Sequence, residues 1–373
     1  MEPTPAALGY RLPAEWEAHE ATWIAWPHAR RDWPGKLAAI HWVYCEIVRK
    51  IAPAETVRVL VNSTPHEARA RRFLSRVGVD PGRVEFFRIA TDRGWTRDFG
   101  PAFVRRGGSP PDVAIVRFRF NGWARYADWR RDDAVPPRVG RRLGFRLFHP
   151  RVQGRDLVLE GGSIDVNGRG TLLTTEECLL DPTRQARNPG LGREDIEEAL
   201  RRYLGVTKIV WLGRGLADDD THGHVDNFCR FVTARTVVLC RADDARDPNH
   251  NRLEENRERL HGMRTEDGSR IEVLRLPMPS PLYLDGRRLP ASYANFYVSN
   301  EVVLVPTFND PADRVALGLL GEVFPSRTVV GVHAVDLVWG FGAVHCLTRE
   351  QPARSGADAG PPGLVDVNPR RVK

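Results

Sequence analysis

Short apolar runs rich in β-branched and aromatic residues recur along the chain: VRVLV (57–61), VEFFRI (84–89), AIVRFRF (114–120), TLLTT (171–175), KIVWL (208–212), TVVLC (236–240), EVVLVP (301–306) and TVVGV (328–332). Runs of this length bounded by turn formers predict strands. Between some of them the apolar period changes. In KLAAIHWVYCEIVRK, Leu37, Ile40, Val43, Tyr44, Ile47 and Val48 fall at three- and four-residue spacing, which predicts a helix with one apolar face. In GREDIEEALRRYLG, Ile196, Leu200 and Leu204 repeat the pattern, with acids in the first turn and Gly205 as a stop. The fold class is therefore mixed α/β.

No Pro/Ser-rich linker or break in composition interrupts this alternation before about residue 352, so one body spanning 1–352 is expected. The remainder, ARSGADAGPPGLVDVNPRRVK (353–373), is small, polar and rich in Pro and Gly, and is expected to be a disordered tail or a loosely docked strap.

Composition narrows the function classes. The 373 residues are 42% hydrophobic and 28% charged, as in water-soluble globular proteins. The start lacks a basic region followed by an apolar run, and no stretch approaches the roughly 18 apolar residues that span a bilayer, so a cytoplasmic protein without membrane contact is expected. The five cysteines, Cys45, Cys178, Cys229, Cys240 and Cys346, are odd in number and form no C-x-x-C pair, which fits reduced thiols. The net charge of +7 comes from arginines spread along the whole chain, not from a basic patch, and nucleic-acid binding is not expected.

Four stretches set glycine beside ionisable residues at the edge of an apolar run: GWTRDFGP (94–101), LEGGSID (159–165), THGHVDNF (221–228) and GFGAVHC (340–346). Each has a structural explanation by itself. Asp98 could pair with Arg97, Glu160 could sit in a turn, His224 could be a core histidine and Cys346 an apolar filler. Together they offer a thiol, an imidazole and the carboxylates Asp98, Glu160 and Asp226. That inventory suits a cationic substrate better than acyl transfer, because anions beside a thiolate oppose the latter, whereas paired carboxylates match a planar guanidinium in charge and shape. In HGHVD, the alternation of His222, His224 and Asp226 also admits a metal site, but the other histidines are isolated and further ligands are lacking.

Read in order, TWIAWPH, GWTRDFGP, LEGGSIDVNGRGTLLTTEECLL, HGHVDNF, SYANFYVSN and GAVHCLT through to the final QP resemble the agmatine deiminase family, among guanidine-modifying enzymes that include the peptidyl-arginine deiminases. The resemblance covers nearly the whole chain. It implies the pentein fold, an α/β propeller of five pseudo-symmetric ββαβ-type repeats around a central channel. The spacing agrees: Asp98 to Glu160 is 62 residues, Glu160 to His224 is 64, and His224 to Cys346 is 122, two steps of 61.

The resemblance further implies Cys346 as nucleophile, His224 as general acid/base, Glu160 as the carboxylate orienting it, and Asp98 with Asp226 as a guanidinium clamp. Trp95 is a candidate cation–π partner of the substrate, and Trp26 a weaker one. Deimination of agmatine to N-carbamoylputrescine and ammonia is the implied reaction, with no metal or organic cofactor. Dimers are common in the family, which admits a homodimer, although nothing in the sequence locates an interface. The chain departs from the family in FNGWARY (120–126), where Ala124 and Arg125 replace glycines, in His222, where the family often carries Asp, and in TREQP after the nucleophile. Arg125 is expected to face solvent. The competing readings are a deiminase of free or peptidyl arginine, a metal-dependent hydrolase built on HGHVD, and a non-catalytic guanidine-binding protein.

Overall fold

The computed structural model describes residues 3–108 and 112–354. All eight expected strands form, and each lies inside a small sheet with a common order of connection. In that order an antiparallel pair is followed by a helical crossover to a third, parallel strand. Thus Ala102–Arg106 pairs antiparallel with Asp112–Val116, which pairs parallel with Leu147–Phe148 after the helix Val135–Leu143. Ile164–Val166, Thr171–Thr175 and Lys208–Leu212 repeat this around the helix Arg193–Leu204. Cys229–Phe231, Thr236–Arg241 and Glu272–Pro277 do so around Pro248–Leu260, and Tyr297–Val298, Val302–Thr307 and Thr328–His333 around Pro311–Val323.

Besides two two-stranded hairpins, Arg151–Val152 with Arg155–Asp156 and Tyr283–Leu284 with Arg287–Arg288, the remaining sheet is four-stranded and joins early and late segments of the sequence. Arg349–Pro352 lies antiparallel to His19–Ala25, which pairs parallel with Thr56–Leu60 after the helix Leu37–Ile51, and Val84–Phe87 adds a fourth strand. That first helix buries Ile40, Tyr44, Ile47 and Val48 of the expected face, half-buries Leu37 and Val43, adds Ile51, and leaves Trp42 exposed. The helix Arg193–Leu204 likewise buries Ile196, Ala199, Leu200 and Leu204 and ends at Gly205 in the left-handed conformation.

Most buried apolar side chains form one large cluster, and a second gathers Val104, Val116, Leu172, Ile196, Leu200 and their neighbours. Among the described residues no helix is long and apolar enough to cross a membrane. The expected tail beyond Arg354 lies outside the described residues.

A short turn precedes the first strand of each of the five larger sheets. Thr96–Phe99 carries Asp98, Glu160 caps Gly161–Ser163, His224 caps Val225–Asn227, which carries Asp226, and Val344–Leu347 carries Cys346. The fifth turn, before Tyr297–Val298, holds Asn295.

Candidate active site

Asp98, Glu160, His224, Asp226 and Cys346, far apart in sequence, come together, each at most 5% exposed. His224 stands at the centre. Its Nδ1 lies 3.7 Å from Asp98 Oδ1 and 4.0 Å from Asp226 Oδ1, and its Nε2 lies 3.8 Å from Glu160 Oε2. These separations exceed hydrogen-bond range, and both ring nitrogens, Glu160 Oε2 and Asp226 Oδ1 have no partner despite full burial. Buried polar atoms left in this state are costly, so such a cluster marks a site shaped for a polar ligand and not for stability.

Each carboxylate is held differently. Asp98 accepts from the Gly162 amide at 3.0 Å and from Trp123 Nε1 at 2.8 Å. Glu160 accepts from Arg187 Nε at 3.0 Å in a pair with no exposed side-chain surface. Asp226 Oδ2 meets His345 Nδ1 at 2.7 Å, and His345 Nε2 meets Glu15 Oε2 at 2.8 Å, so the ring bridges two buried carboxylates. Asn295 Nδ2 lies 3.2 Å from Cys346 Sγ and 3.4 Å from Asp226 Oδ2, tying the thiol to the same carboxylate.

The electrostatics follow. Burial works against every charged form, but Arg187 and His224 overcome it at Glu160, whose carboxyl is held down to about 2. At Asp98 burial prevails, reinforced by Asp226 and Glu160, and its carboxyl is raised despite His224. Asp226 is lowered, since His345 and His224 outweigh desolvation. At His224 desolvation is outweighed by Asp98, the Cys178 thiol and Glu160, so its imidazolium persists well above the ordinary range. Burial and the anions Asp226 and Asp98 push the Cys346 thiol well up, although Asn295 and the Ala343 backbone oppose this. The Cys346 thiol is thus biased toward its neutral form and the His224 imidazole toward its protonated one.

The family profile described as Porphyromonas-type peptidyl-arginine deiminase matches residues 11–352. The chain belongs to this family. Among its relatives, the agmatine deiminase of Ectopseudomonas mendocina is 37% identical over 378 residues, covering 95% of this chain and 98% of that one. The agmatine deiminase of Medicago truncatula is 38% identical over 385 residues, covering 95% and 99%. The solved agmatine deiminase of Enterococcus faecalis superposes with a TM-score of 0.86 at 30% identity, covering 95% and 99%.

In this peptidyl-arginine deiminase family member, Trp95 is buried and packs against Trp33, with ring centroids 5.2 Å apart. Gly340 and Gly342 close over it: a Cβ at either would come within 2.6 Å of the Trp95 ring, so glycine lets the segment leading to Cys346 lie flat on the indole. Trp26 is a core residue, packed with His41, Tyr44 and Phe73. His222 turns away from His224 and contacts Asp181 at 2.9 Å, so HGHVD does not gather its three polar residues on one point. Arg125 is exposed, as expected, and pairs with Asp220 at 3.4 Å; Arg287 Nη2 and the Tyr126 hydroxyl meet the same carboxylate.

Several residues of the site escape sequence reasoning. Asn295 had a signal, because the double step of 122 residues between His224 and Cys346 leaves one repeat without a contributor, and SYANFY falls within it. His345 and Trp123 lie within the GFGAVHC and FNGWARY stretches without being singled out there, whereas Arg187 and Glu15 had no signal and reach the site through long-range packing that no local pattern records.

Proposed function

We propose that this chain is an agmatine deiminase that hydrolyses agmatine to N-carbamoylputrescine and ammonia through a covalent thiouronium on Cys346. The observation that carries the reading is the convergence of Asp98 and Asp226 on His224 Nδ1, at 3.7 and 4.0 Å, with the Cys346 sulfur 3.9 Å from Asp226: two buried carboxylates gathered at a thiol. The near full-length identity to agmatine deiminases supports the substrate.

In this mechanism the guanidinium settles between Asp98 and Asp226 and offsets their charge. That favours ionising Cys346, whose anionic neighbours otherwise disfavour the thiolate, and the thiol proton passes to solvent as the cation settles. The thiolate then adds to the guanidinium carbon. His224, protonated in the resting state, gives its proton to the departing nitrogen, and ammonia leaves. Water follows: neutral His224 takes one of its protons, the hydroxide attacks the thiouronium carbon, and the adduct's hydroxyl proton passes to the departing sulfur as the C–S bond breaks, releasing the carbamoyl amine and restoring the Cys346 thiol. Glu160, anchored by Arg187, holds the imidazole and stabilises its cation.

We infer further that the five sheets stand around a pseudo-fivefold axis as one catalytic body, 1–352, with the turns that carry the site facing that axis. Trp95 supports the nucleophile's loop and bounds the guanidinium pocket.

Arg125 bears on selectivity. Its charge is engaged by Asp220, so it does not act as a free receptor for the α-carboxylate of arginine. Burying that carboxylate without a partner costs several kcal/mol. Ammonia release from agmatine is expected to exceed that from free arginine by at least about a hundredfold in kcat/KM, a difference of roughly 2.7 kcal/mol. A preference for arginine, or no turnover of either, refutes the assignment.

A further inference from the structure

One buried nucleophile has no part in this chemistry. Cys178, in the helix Glu176–Leu180 that Thr175 caps, is 1% exposed, yet it lies beside the catalytic histidine and not in a remote core. A ligand atom from each of Glu160, Cys178 and His224 falls within 4.8 Å of the others. Two of those donors are poised for a further contact, since Glu160 Oε2 and both His224 nitrogens are buried without hydrogen-bond partners. Arg187 occupies only the other oxygen of Glu160.

We propose that Glu160, Cys178 and His224 form an inhibitory site for a thiophilic divalent cation of the zinc type. One sulfur, one imidazole nitrogen and one carboxylate oxygen make a three-ligand set suited to tetrahedral zinc, with a fourth position left to water. Around one such ion, with bonds of about 2.0–2.3 Å, donor atoms stand roughly 3.3–3.6 Å apart. His224 Nε2 and Glu160 Oε2 begin at 3.8 Å, so they close on a metal with a shift of about half an ångström, and the sulfur, within 4.8 Å of both, has at most about one ångström to move. The thiol proton of Cys178 and the Nε2 proton of the His224 imidazolium are both released to solvent as the S–metal and N–metal bonds form.

The consequence differs from that of a catalytic metal. A cation bonded to His224 takes the electron pair that carries its transferable proton, and its charge opposes entry of a guanidinium between Asp98 and Asp226. Metal removal therefore leaves the enzyme active or raises its activity, and metal addition silences it. The site also keeps the nucleophile free, because Cys346 is not a ligand.

The inhibition rests on the deiminase reading given above, whereas metal binding can be followed without turnover. Wild type, Cys178→Ala, Cys178→Ser and Cys346→Ala would each be titrated with Co²⁺ alone, following the near-ultraviolet thiolate-to-cobalt band and the visible bands of tetrahedral cobalt, with a thermal melt as folding control. One equivalent per chain is expected in wild type and in catalytically dead Cys346→Ala, displaced by Zn²⁺, and its thiolate band is lost in both Cys178 variants. In ammonia-release assays, Zn²⁺ inhibits wild type reversibly, a chelator restores full rate, and half-inhibition of Cys178→Ser requires at least tenfold more metal. A thiolate band that survives in Cys178→Ser but vanishes in Cys346→Ala would assign the metal to the nucleophile and overturn the proposal, as would the absence of any band in folded wild type.

Discussion

Cys346 and Asp226 illustrate how one residue can be placed against its own ionisation. The sulfur lies 3.9 Å from an Asp226 oxygen and is pushed well above the usual thiol range by burial and by that anion. Uncharged iodoacetamide should therefore alkylate Cys346 slowly at neutral pH, with a rate that climbs only as pH rises beyond the ordinary thiol value of about 8.5. A chloroacetamidinium reagent, whose cation can sit between Asp98 and Asp226, should react faster at neutral pH. Equal pH dependence for the two reagents in wild type would refute the coupling.

Asp226→Asn removes the neighbouring anion and should shift the iodoacetamide profile to lower pH while kcat/KM falls. Asp98→Asn should lower kcat/KM as well. Loss of one carboxylate from a desolvated guanidinium site costs on the order of 3–5 kcal/mol, or about two to three and a half orders of magnitude. Steady-state kinetics on folded variants check this, and a loss below tenfold for both contradicts the clamp. Residues of this kind were legible in the sequence because turn glycines and family motifs mark them. Glu15 and Arg187 were not, since a glutamate in AEWEAHE and an arginine in TRQARN resemble any exposed charge until the fold buries them.

At the scale of elements, the turns that deliver the site depend on glycines that a side chain would obstruct. A Cβ on Gly162 would lie 2.6 Å from His224 Nδ1 and 3.0 Å from both Asp98 Oδ1 and Asp226 Oδ2, inside the space assigned to the guanidinium. Gly162→Ala should therefore cut kcat/KM by at least about a hundredfold, while overpacking costs about 1–3 kcal/mol of stability. Kinetics and a thermal melt on one preparation separate the two effects.

The central strands were legible because apolar runs such as TVVLC are buried on both faces. The short first strands, among them Cys229–Phe231 and Tyr297–Val298, were not, because two or three residues carry no periodicity. The helix Pro248–Leu260 shows how polarity hides an element. Its buried face includes Asn249 and Asn256, whose side-chain oxygens accept from the Ala217 and Gly213 amides at 2.7 Å. Asparagines used as internal caps for neighbouring loops erase the apolar stripe that would announce a helix.

Across the whole molecule, Glu15 binds together segments from opposite ends of the chain. Its carboxylate meets Arg97 at 2.9 Å, Arg230 at 3.1 Å, His345 at 2.8 Å and the Val298 amide at 2.8 Å. Burial opposes its charge, but Arg230, His345 and Arg97 together hold its carboxyl well below the ordinary range. Glu160 and Glu350 are lowered too. Groups with depressed folded values stabilise the protein above the unfolded carboxyl value of about 4.3, and that contribution is lost as pH falls through their folded values, near 2 for Glu160. Glu15→Gln should lower Tm at pH 7 by on the order of 5–10 °C, because removing one partner from a buried ionic cluster costs about 3–5 kcal/mol. It should also flatten the loss of stability between about pH 4.3 and 2. Melts across that range test both. An unchanged Tm at pH 7 would show that the cluster is not structurally important.

The strand Arg349–Pro352 has one more consequence, this time for biosynthesis. It pairs with His19–Ala25, and Trp23 Nε1 donates to Gln351 across 328 positions of sequence at 2.9 Å. Cys346 precedes that strand by three residues. A ribosome must therefore carry synthesis past Pro352 before the sheet begun at His19 can be sealed, and the Cys346 sulfur emerges only shortly before that. Until then the nascent polypeptide keeps its opening strand exposed along one edge, a surface open to chaperones or to mispairing. Sealing that sheet and delivering the thiol to its carboxylates become nearly one event, so a prematurely terminated product carries no reactive sulfur in its incomplete site.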